Sequence, residues 1–169
     1  SVIFLFICLS CIDSKDRIID GIEKKESIPH PSESPEEWLL AHLDIETTGL
    51  LPGYHEMIDI GIVFTNLDGN IIDSLFLRIQ PKNSERLSIG AKAVNAFDHQ
   101  KWVRLGALSP SAAVDTIISF HKRVAKNKHV LMVAYNSHFD AAFFDHLFRS
   151  AQKSWRELYY YFIFKCMYI

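Results

Sequence analysis

A strand that ends in two carboxylates is the feature that most constrains the fold of this chain. Residues 39–43 are mostly apolar, and Asp44 and Glu46 follow them with one residue between, before the small turn-forming residues 47–49. Alternate residues of a strand point to the same face of a sheet, so both carboxylates are expected on one face at the end of this strand. The fold must therefore bury most of the strand and still bring two acidic side chains together.

The acidic pair predicts a metal site. Two negative charges at this separation repel each other, so a fold retains them where protons or a cation offset the charge. Hard divalent cations such as Mg²⁺ bind carboxylate oxygens in preference to other ligands. We therefore expect Asp44 and Glu46 to bind a divalent cation.

Three predicted strands come first in the domain. They cover residues 38–46, 57–66 and 71–80. In the second strand the apolar side chains alternate with a period of two, which is typical of a strand covered on one face. The Asp68-Gly69 pair between the second and third strands is typical of a hairpin turn, so these two strands are predicted to be antiparallel.

The later part of the chain predicts helices with one strand between them. Residues 88–97 are expected to form a short helix, and Ser109, followed by a proline, is a typical start for a longer one. Residues 129–135 form a short apolar run that predicts a buried strand, and residues 139–152 predict the last helix. This order of elements predicts an α/β domain in which helices pack against a mixed sheet.

Composition limits the number of domains and the kind of partner. The 169 residues are 49% apolar, enough for one domain with a core, and the net charge of -2 argues against a nonspecific polyanion binder. We place the domain at residues 38–169 and leave residues 1–37, an apolar segment followed by a polar linker, outside the fold. Residues 2–12 are too short to span a bilayer. They fit a clipped signal or anchor, a strand of the domain, or sequence foreign to the mature protein.

The cysteines give a weak indication of the compartment. Cys8 and Cys11 have a spacing found in redox and zinc sites, but no second pair of ligands follows them, so we interpret them as small apolar residues. Residues 36–160 contain no cysteine, which fits a reducing compartment and an expected cytoplasmic location.

Another acidic position follows the later strand. Residues 136–140 (NSHFD) join the strand predicted at 129–135 to the last helix, so Asp140 lies in the first turn of that helix. An acid at this position complements the helix dipole and needs no further role. Considered together with Asp44 and Glu46, it is interpreted as the third carboxylate of a metal cluster.

These two acidic segments resemble the motifs of a known nuclease family. Residues 44–50 (DIETTGL) are similar to the first motif, D-x-E-T-T-G, of the DEDD 3′→5′ exonuclease superfamily, and residues 136–140 are similar to its second motif, N-x-x-F-D. The superfamily includes proofreading subunits of bacterial DNA polymerases and ribonuclease T. The resemblance implies a ribonuclease H-like fold over residues 38–161. It also implies a 3′→5′ exonuclease that acts on single-stranded DNA or RNA ends with two Mg²⁺ or Mn²⁺ ions.

The resemblance implies roles for individual residues. Asp44 would bridge both ions, Glu46 would hold the ion that activates water, and Asp140 would hold the other ion. Phe139 would pack in the core. The nucleotide at the 3′ end would be bound by Thr47, Thr48, Gly49, Leu50 and Asn136.

The sequence departs from the family after the second motif. A third motif, H-x4-D or Y-x3-D, would supply a fourth carboxylate and a general base, but no His follows His146 and no Asp follows Asp145. We therefore expect a domain whose C-terminal part is missing and a chain that is weakly active or inactive. Two alternatives stay open: a non-catalytic nucleic-acid-binding or interaction module, and an envelope-targeted protein in which the acidic pair binds a structural cation.

Other polar residues are expected to lie outside the site. Asp145 should point away from the metal cluster and pair with Arg149, four positions further along the last helix. Glu56 and Asp59 flank the second strand, where we favour a solvated edge over the metal site. His42 is expected to be a half-buried polar residue near the site.

Overall fold

The computed structural model describes residues 28–165 of the chain. The predictions for residues 2–12, for Cys8 and Cys11 and for the last four residues lie outside the described residues. The helices and strands below all lie in the second of the two units into which the chain divides, Ser34–Ile169. No helix in the described part is long and apolar enough to cross a membrane.

A five-stranded mixed sheet forms the centre of this unit. The strands are β1 (Trp38–Thr47), β2 (Met57–Thr65), β3 (Ile71–Arg78), β4 (His129–Ala134) and β5 (Tyr160–Lys165). Their order across the sheet is β3-β2-β1-β4-β5. β2 is antiparallel to both β1 and β3, and β4 is parallel to both β1 and β5. The predicted α/β class with a mixed sheet is confirmed.

The first three strands begin and end within two residues of their predicted bounds. The turn between β2 and β3 is closed by the Asn66 N–H, which donates to the Asn70 carbonyl at 3.1 Å. Gly69 has a φ of 84°, a conformation that favours glycine over other residues. The predicted hairpin is confirmed.

Among residues 28–165, four α-helices follow or interrupt the strands: α1 (Ile89–Asn95), α2 (His99–Arg104), α3 (Pro110–Ala125) and α4 (Ser137–Ser150). Two short 3-10 helices cover Pro35–Glu37 and Ser84–Arg86. α3 begins as predicted, because the Ser109 side chain accepts a hydrogen bond from the Ala112 N–H at 3.3 Å. α2 was not predicted. Ala96 adopts a left-handed conformation that ends α1, and the Asp98 carboxylate caps a new helix by accepting from the Lys101 N–H at 2.7 Å.

The core lies between one face of the sheet and the helices α3 and α4. Leu39, Ala41 and Leu43 of β1 point into it, alternating with more exposed residues. Phe143 and Phe148 of α4 are fully buried against them. This packing fixes α4 against the sheet, and with it the position of the acid in the first turn of that helix.

β5 was not predicted, because periodicity alone cannot tell a short apolar run in a buried strand from one in a buried helix. It pairs with the outer side of β4, with Leu131 opposite Tyr160 and Val133 opposite Phe164. The segment just before it is anchored by Trp155, 4% exposed, and Tyr159, 3% exposed, which belong to the core. The end of the described chain is thus held to the sheet by backbone pairing.

Candidate active site

The end of β1 presents its two acids on the face away from the helical core. Leu43 and Ile45 are buried, whereas Asp44 is exposed and Glu46 is half-buried. The alternation follows from the pleat of the strand, which places residues two apart on the same side. The core residues of β1 thus fix the backbone that carries both carboxylates.

Asp140 lies close to Asp44 because β1 and β4 are parallel neighbours. The register pairs Leu43 with Ala134, so both strands end at the same edge of the sheet, and α4 begins three residues after β4. The Asp140 side chain is buried, with 5% of the residue exposed. Burial, and after it the negative charge of Asp44, raises the pKa of the Asp140 carboxyl to about 6. The chain therefore keeps two mutually repelling carboxyl groups at this edge.

The donor chemistry of this edge fits a hard divalent cation. Carboxylate oxygens are the ligands that Mg²⁺ and Mn²⁺ prefer, and a cation would offset the charge that burial penalises on Asp140. However, within residues 28–165 no three His, Cys, Asp or Glu side chains are placed so that they could hold a metal ion together. Asp44 and Asp140 are within electrostatic reach, and Glu46 follows on the same strand face.

The loop after β1 is braced by its own polar groups. The Thr47 hydroxyl donates to the Gly49 carbonyl at 2.7 Å. The Thr48 hydroxyl accepts from the Glu56 N–H at 2.9 Å, and the Thr48 N–H donates to the Glu56 carbonyl at 2.8 Å. Thr48 is fully buried, so its hydroxyl closes the loop at its base.

Gly49 is required where the loop folds over a histidine ring. A Cβ atom at this position would lie 2.4 Å from the His55 ring, closer than any real contact. The same ring is held by the Leu51 N–H, which donates to His55 Nδ1 at 3.0 Å. The compact turn leaves Leu50 at the surface, with 77% of the residue exposed.

An open cleft of about 390 Å³ lies beside this loop. Its lining includes Ile45, Glu46, Thr47, Gly49, Leu50, Ser88, Gly90, Ala91, Val94, Asn95 and Phe139. The volume is within the range of small-ligand sites. Among the predicted substrate-binding residues, Thr47, Gly49 and Leu50 line the cleft, whereas Thr48 lies beneath the loop and Asn136 lies at the start of α4. Phe139 packs against the core, as expected, and also reaches the cleft.

The opposite wall of the cleft was not predicted. It is built by α1, and the loop is tied to it because Asn95 Nδ2 donates to the Thr47 carbonyl at 2.9 Å. The Ser88 N–H also donates to the Thr48 carbonyl, at 2.8 Å. The sequence signals a short helix here but not its neighbour in space, because the contact joins segments more than forty residues apart.

Three polar residues outside the site have structural partners. The Arg149 Nε lies 2.5 Å from the Asp145 carboxylate, so the predicted ion pair is confirmed. His42 lies 3.1 Å from the Thr65 hydroxyl, and burial lowers the pKa of its ring. The Glu56 carboxylate accepts from the backbone N–H groups of residues 82 and 83, at 3.2 and 2.7 Å.

The prediction of a solvated edge for Asp59 is wrong. β2 is an inner strand of the sheet, and its register places Asp59 directly opposite Glu46. The pairing depends on how two strands align, which the sequence of either strand alone does not reveal.

Comparison with known proteins gives a structural likeness only. No family model matches the sequence, and no curated protein matches it. E. coli exonuclease I in complex with a dT13 oligonucleotide matches with a TM-score of 0.59 and 18% identity, over 69% of this chain and 24% of that one. A product-bound exonuclease I matches with a TM-score of 0.62 and 17% identity, over 75% of this chain and 29% of that one.

The fold is similar to that of exonuclease I. The predicted ribonuclease H-like exonuclease fold is therefore confirmed. An exonuclease I complex with SSB-Ct matches equally well, with a TM-score of 0.62 and 17% identity over 75% of this chain and 28% of that one. The chain spans about a quarter of the length of these exonuclease I chains.

Proposed function

We propose that this chain is a divalent-cation-dependent 3′→5′ exonuclease that hydrolyses the terminal phosphodiester of single-stranded nucleic acid. The observation that carries the proposal is the position of Asp44 and Asp140 at one edge of the sheet, close enough for the charge of one to affect the other. The exonuclease I fold and a cleft beside the same strand end support it.

The acidic residues would hold the cations. Asp44, Glu46 and Asp140 supply only carboxylate oxygens, and all three come from one end of the sheet. Two divalent ions bound there would activate water and stabilise the leaving 3′ oxygen. The protein's own contribution is to hold these carboxyl groups in place, because the core behind β1 and α4 fixes the backbone that carries them.

The cleft would receive the 3′-terminal nucleotide. Leu50 on one wall is 77% exposed and Val94 on the other is 80% exposed, so both offer apolar surface to the face of a base. Contacts to the face of a base do not depend on which base it is, so such a cleft would accept nucleic acid of any sequence. Thr47 and Gly49 also line the cleft together with Glu46, and we propose that the sugar would lie against them.

The chain is expected to turn over slowly. The sequence after Asp140 holds neither form of the third motif, so no residue is assigned as the base that takes the proton of the attacking water. We propose a rate well below that of an enzyme with four carboxylates and a base.

A second candidate function is binding of nucleic acid without cleavage. It is favoured by the finding that, among the described residues, no three His, Cys, Asp or Glu side chains lie close enough together to hold a metal ion. In that case the cleft would bind 3′ ends and the acids would stay without a cation.

The test is release of mononucleotides from single-stranded DNA and RNA oligonucleotides in Mn²⁺, followed as shortening of oligonucleotides labelled at the 5′ end. The exonuclease proposal predicts stepwise release by the unmodified chain and none by Asp44→Ala. Asp145→Asn is the matched control, because Asp145 lies on the same helix as Asp140 but pairs with Arg149, and asparagine can still accept the hydrogen bond that the Trp155 indole N–H donates to it. Binding without release would support the second candidate, and equal release by Asp44→Ala would contradict the first.

A further inference from the structure

Another carboxylate lies beside Glu46 on the same face of the sheet. The strand register pairs Glu46 with Asp59, and Asp59 in turn with Arg78. Residues directly opposite each other in antiparallel strands point to the same side, with Cβ atoms about 5 Å apart. Glu46, Asp59 and Arg78 therefore form a row across β1, β2 and β3, close to the end of β1.

Asp59 is held in place from α2. The Trp102 indole N–H lies 3.0 Å from Asp59 Oδ1 and 3.1 Å from the Ile58 carbonyl, and donates to both. Trp102 is itself buried, with 4% of the residue exposed. Within residues 28–165, no hydrogen bond occupies Oδ2 of this carboxylate. One oxygen is thus fixed, and the other can accept a hydrogen bond.

Arg78, at the end of the row, forms no ion pair with Asp59. The Arg78 guanidinium lies 4.9 Å from the centre of the Phe76 ring and 5.7 Å from that of Trp102. Its buried Nε has no hydrogen-bond partner among the described residues. The pKa of Asp59 is raised, mainly by burial and to a smaller extent by the negative charge of Glu46. The hydrogen bond from Trp102 and the positive charge of Arg78 act in the opposite direction and lower it. The negative charge of Asp59 is therefore felt at Glu46.

We propose that Asp59 is a further acidic residue of the candidate site, a positioning residue that acts beside Glu46. Its negative charge would strengthen binding of a divalent cation at Glu46, and its carboxylate would help to orient the groups that bind the cation. Partners of this kind orient the ligands of metal sites. The inference rests on the proposed function only in requiring that a divalent cation binds at these acids.

A purely structural role for Asp59 makes a different prediction. If Asp59 served only to hold Trp102, asparagine would replace it without effect, because the amide oxygen still accepts the indole N–H. Loss of the charge alone would then leave cation binding unchanged. Asp59→Asn therefore separates the two roles while keeping the hydrogen bond to α2.

The experiment measures the dissociation constant of Mn²⁺ by isothermal titration calorimetry at pH 7.5, using the full chain. Asp59→Asn should weaken Mn²⁺ binding about tenfold, as expected for loss of one charge a few ångströms from the ion. Arg78→Met should strengthen it, because a positive charge is removed and the replacement side chain keeps a similar length. General damage to the fold would weaken binding in both variants, so the opposite signs identify a charge effect.

Two further variants complete the test. Asp145→Asn removes a carboxylate that is already paired with Arg149, and it should bind Mn²⁺ like the unmodified chain. Asp59→Glu restores the charge and should recover most of the lost affinity. Unchanged Mn²⁺ binding by Asp59→Asn, or weaker binding by Arg78→Met, would overturn the inference. If the Mn²⁺ shifts appear but no nucleotide is released from any oligonucleotide, the exonuclease proposal fails and the inference stands.

Discussion

The two faces of the central sheet have different roles. One face packs in the hydrophobic core, and the other carries acidic residues of the candidate site. On one face, alternate residues of β1 meet the aromatic side chains of α3 and α4 in a close-packed core. On the other face, the residues between them include Asp44 and Glu46. One strand serves both because its side chains alternate, so the backbone that carries the acids is fixed by the core on its other side. Changes on the two faces should therefore have separable effects.

The largest effect on stability is expected on the core face. Phe148→Ala removes a fully buried ring of α4 and should lower the free energy of unfolding by about 3–5 kcal/mol. The measurement is urea denaturation followed by circular dichroism. Asp44→Ala is the control from the other face, where an exposed side chain is removed, and its free energy of unfolding should stay close to that of the unmodified chain. Equal losses in both variants would contradict the division between the faces.

Gly49→Ala tests the loop between β1 and β2, which lines the cleft. The added methyl group meets the His55 ring at 2.4 Å, so the loop must shift. Overpacking of this kind costs about 1–3 kcal/mol. The variant should also bind a single-stranded oligonucleotide more weakly, measured by fluorescence anisotropy. Gly69→Ala is the comparison at a distant turn, where a Cβ meets no atom within 4 Å, and it should leave binding unchanged.

Asp140→Asn should stabilise the cation-free chain. The pKa of Asp140 is about 6 in the folded state against 3.8 for an ordinary Asp, so the fold favours the protonated form. The stability this gives is present at low pH and is lost as the pH rises through about 6. Above pH 6 in EDTA, the variant should have the higher melting temperature. Added Mn²⁺ should raise the melting temperature of the unmodified chain more than that of the variant, and the opposite order would exclude Asp140 as a ligand.

His121 gives a pH effect of the opposite sign on the core face. Burial lowers the pKa of its ring to about 4 from 6.5, and its Nδ1 has no hydrogen-bond partner among the described residues. The fold favours the neutral ring, so stability should be lost as the pH falls from 6.5 towards 4. His121→Phe should remove this loss in melting curves recorded across that range. If the two proteins lose stability in parallel, His121 is not the group responsible.

The sequence was sufficient for the parts of the fold that depend on local pattern. Period-two alternation predicted β2, and the Asp68-Gly69 turn predicted the hairpin between β2 and β3. The capping serine before α3 marked the start of that helix. Each of these signals acts over a few residues, so it can be read without knowledge of the fold.

The remaining features depend on contacts between distant segments. β5 pairs with β4 through backbone hydrogen bonds, and its apolar run alone does not distinguish a strand from a buried helix segment. The place of Asp59 beside Glu46 follows from strand register, and the cleft wall built by α1 follows from a contact between Asn95 and Thr47. Sequence patterns predicted the acids one by one, but only the fold shows which of them are neighbours.

The central claim is that a divalent cation binds between Asp44 and Asp140. It is tested most directly by a crystal structure of the chain grown with Mn²⁺ and a short single-stranded oligonucleotide, using the anomalous signal of manganese to locate the ion. The account predicts a manganese peak within bonding distance of an oxygen of each of these two carboxylates, with the 3′ nucleotide in the cleft beside Leu50. A manganese peak at another part of the surface, with these carboxylates bound to water alone, would contradict it.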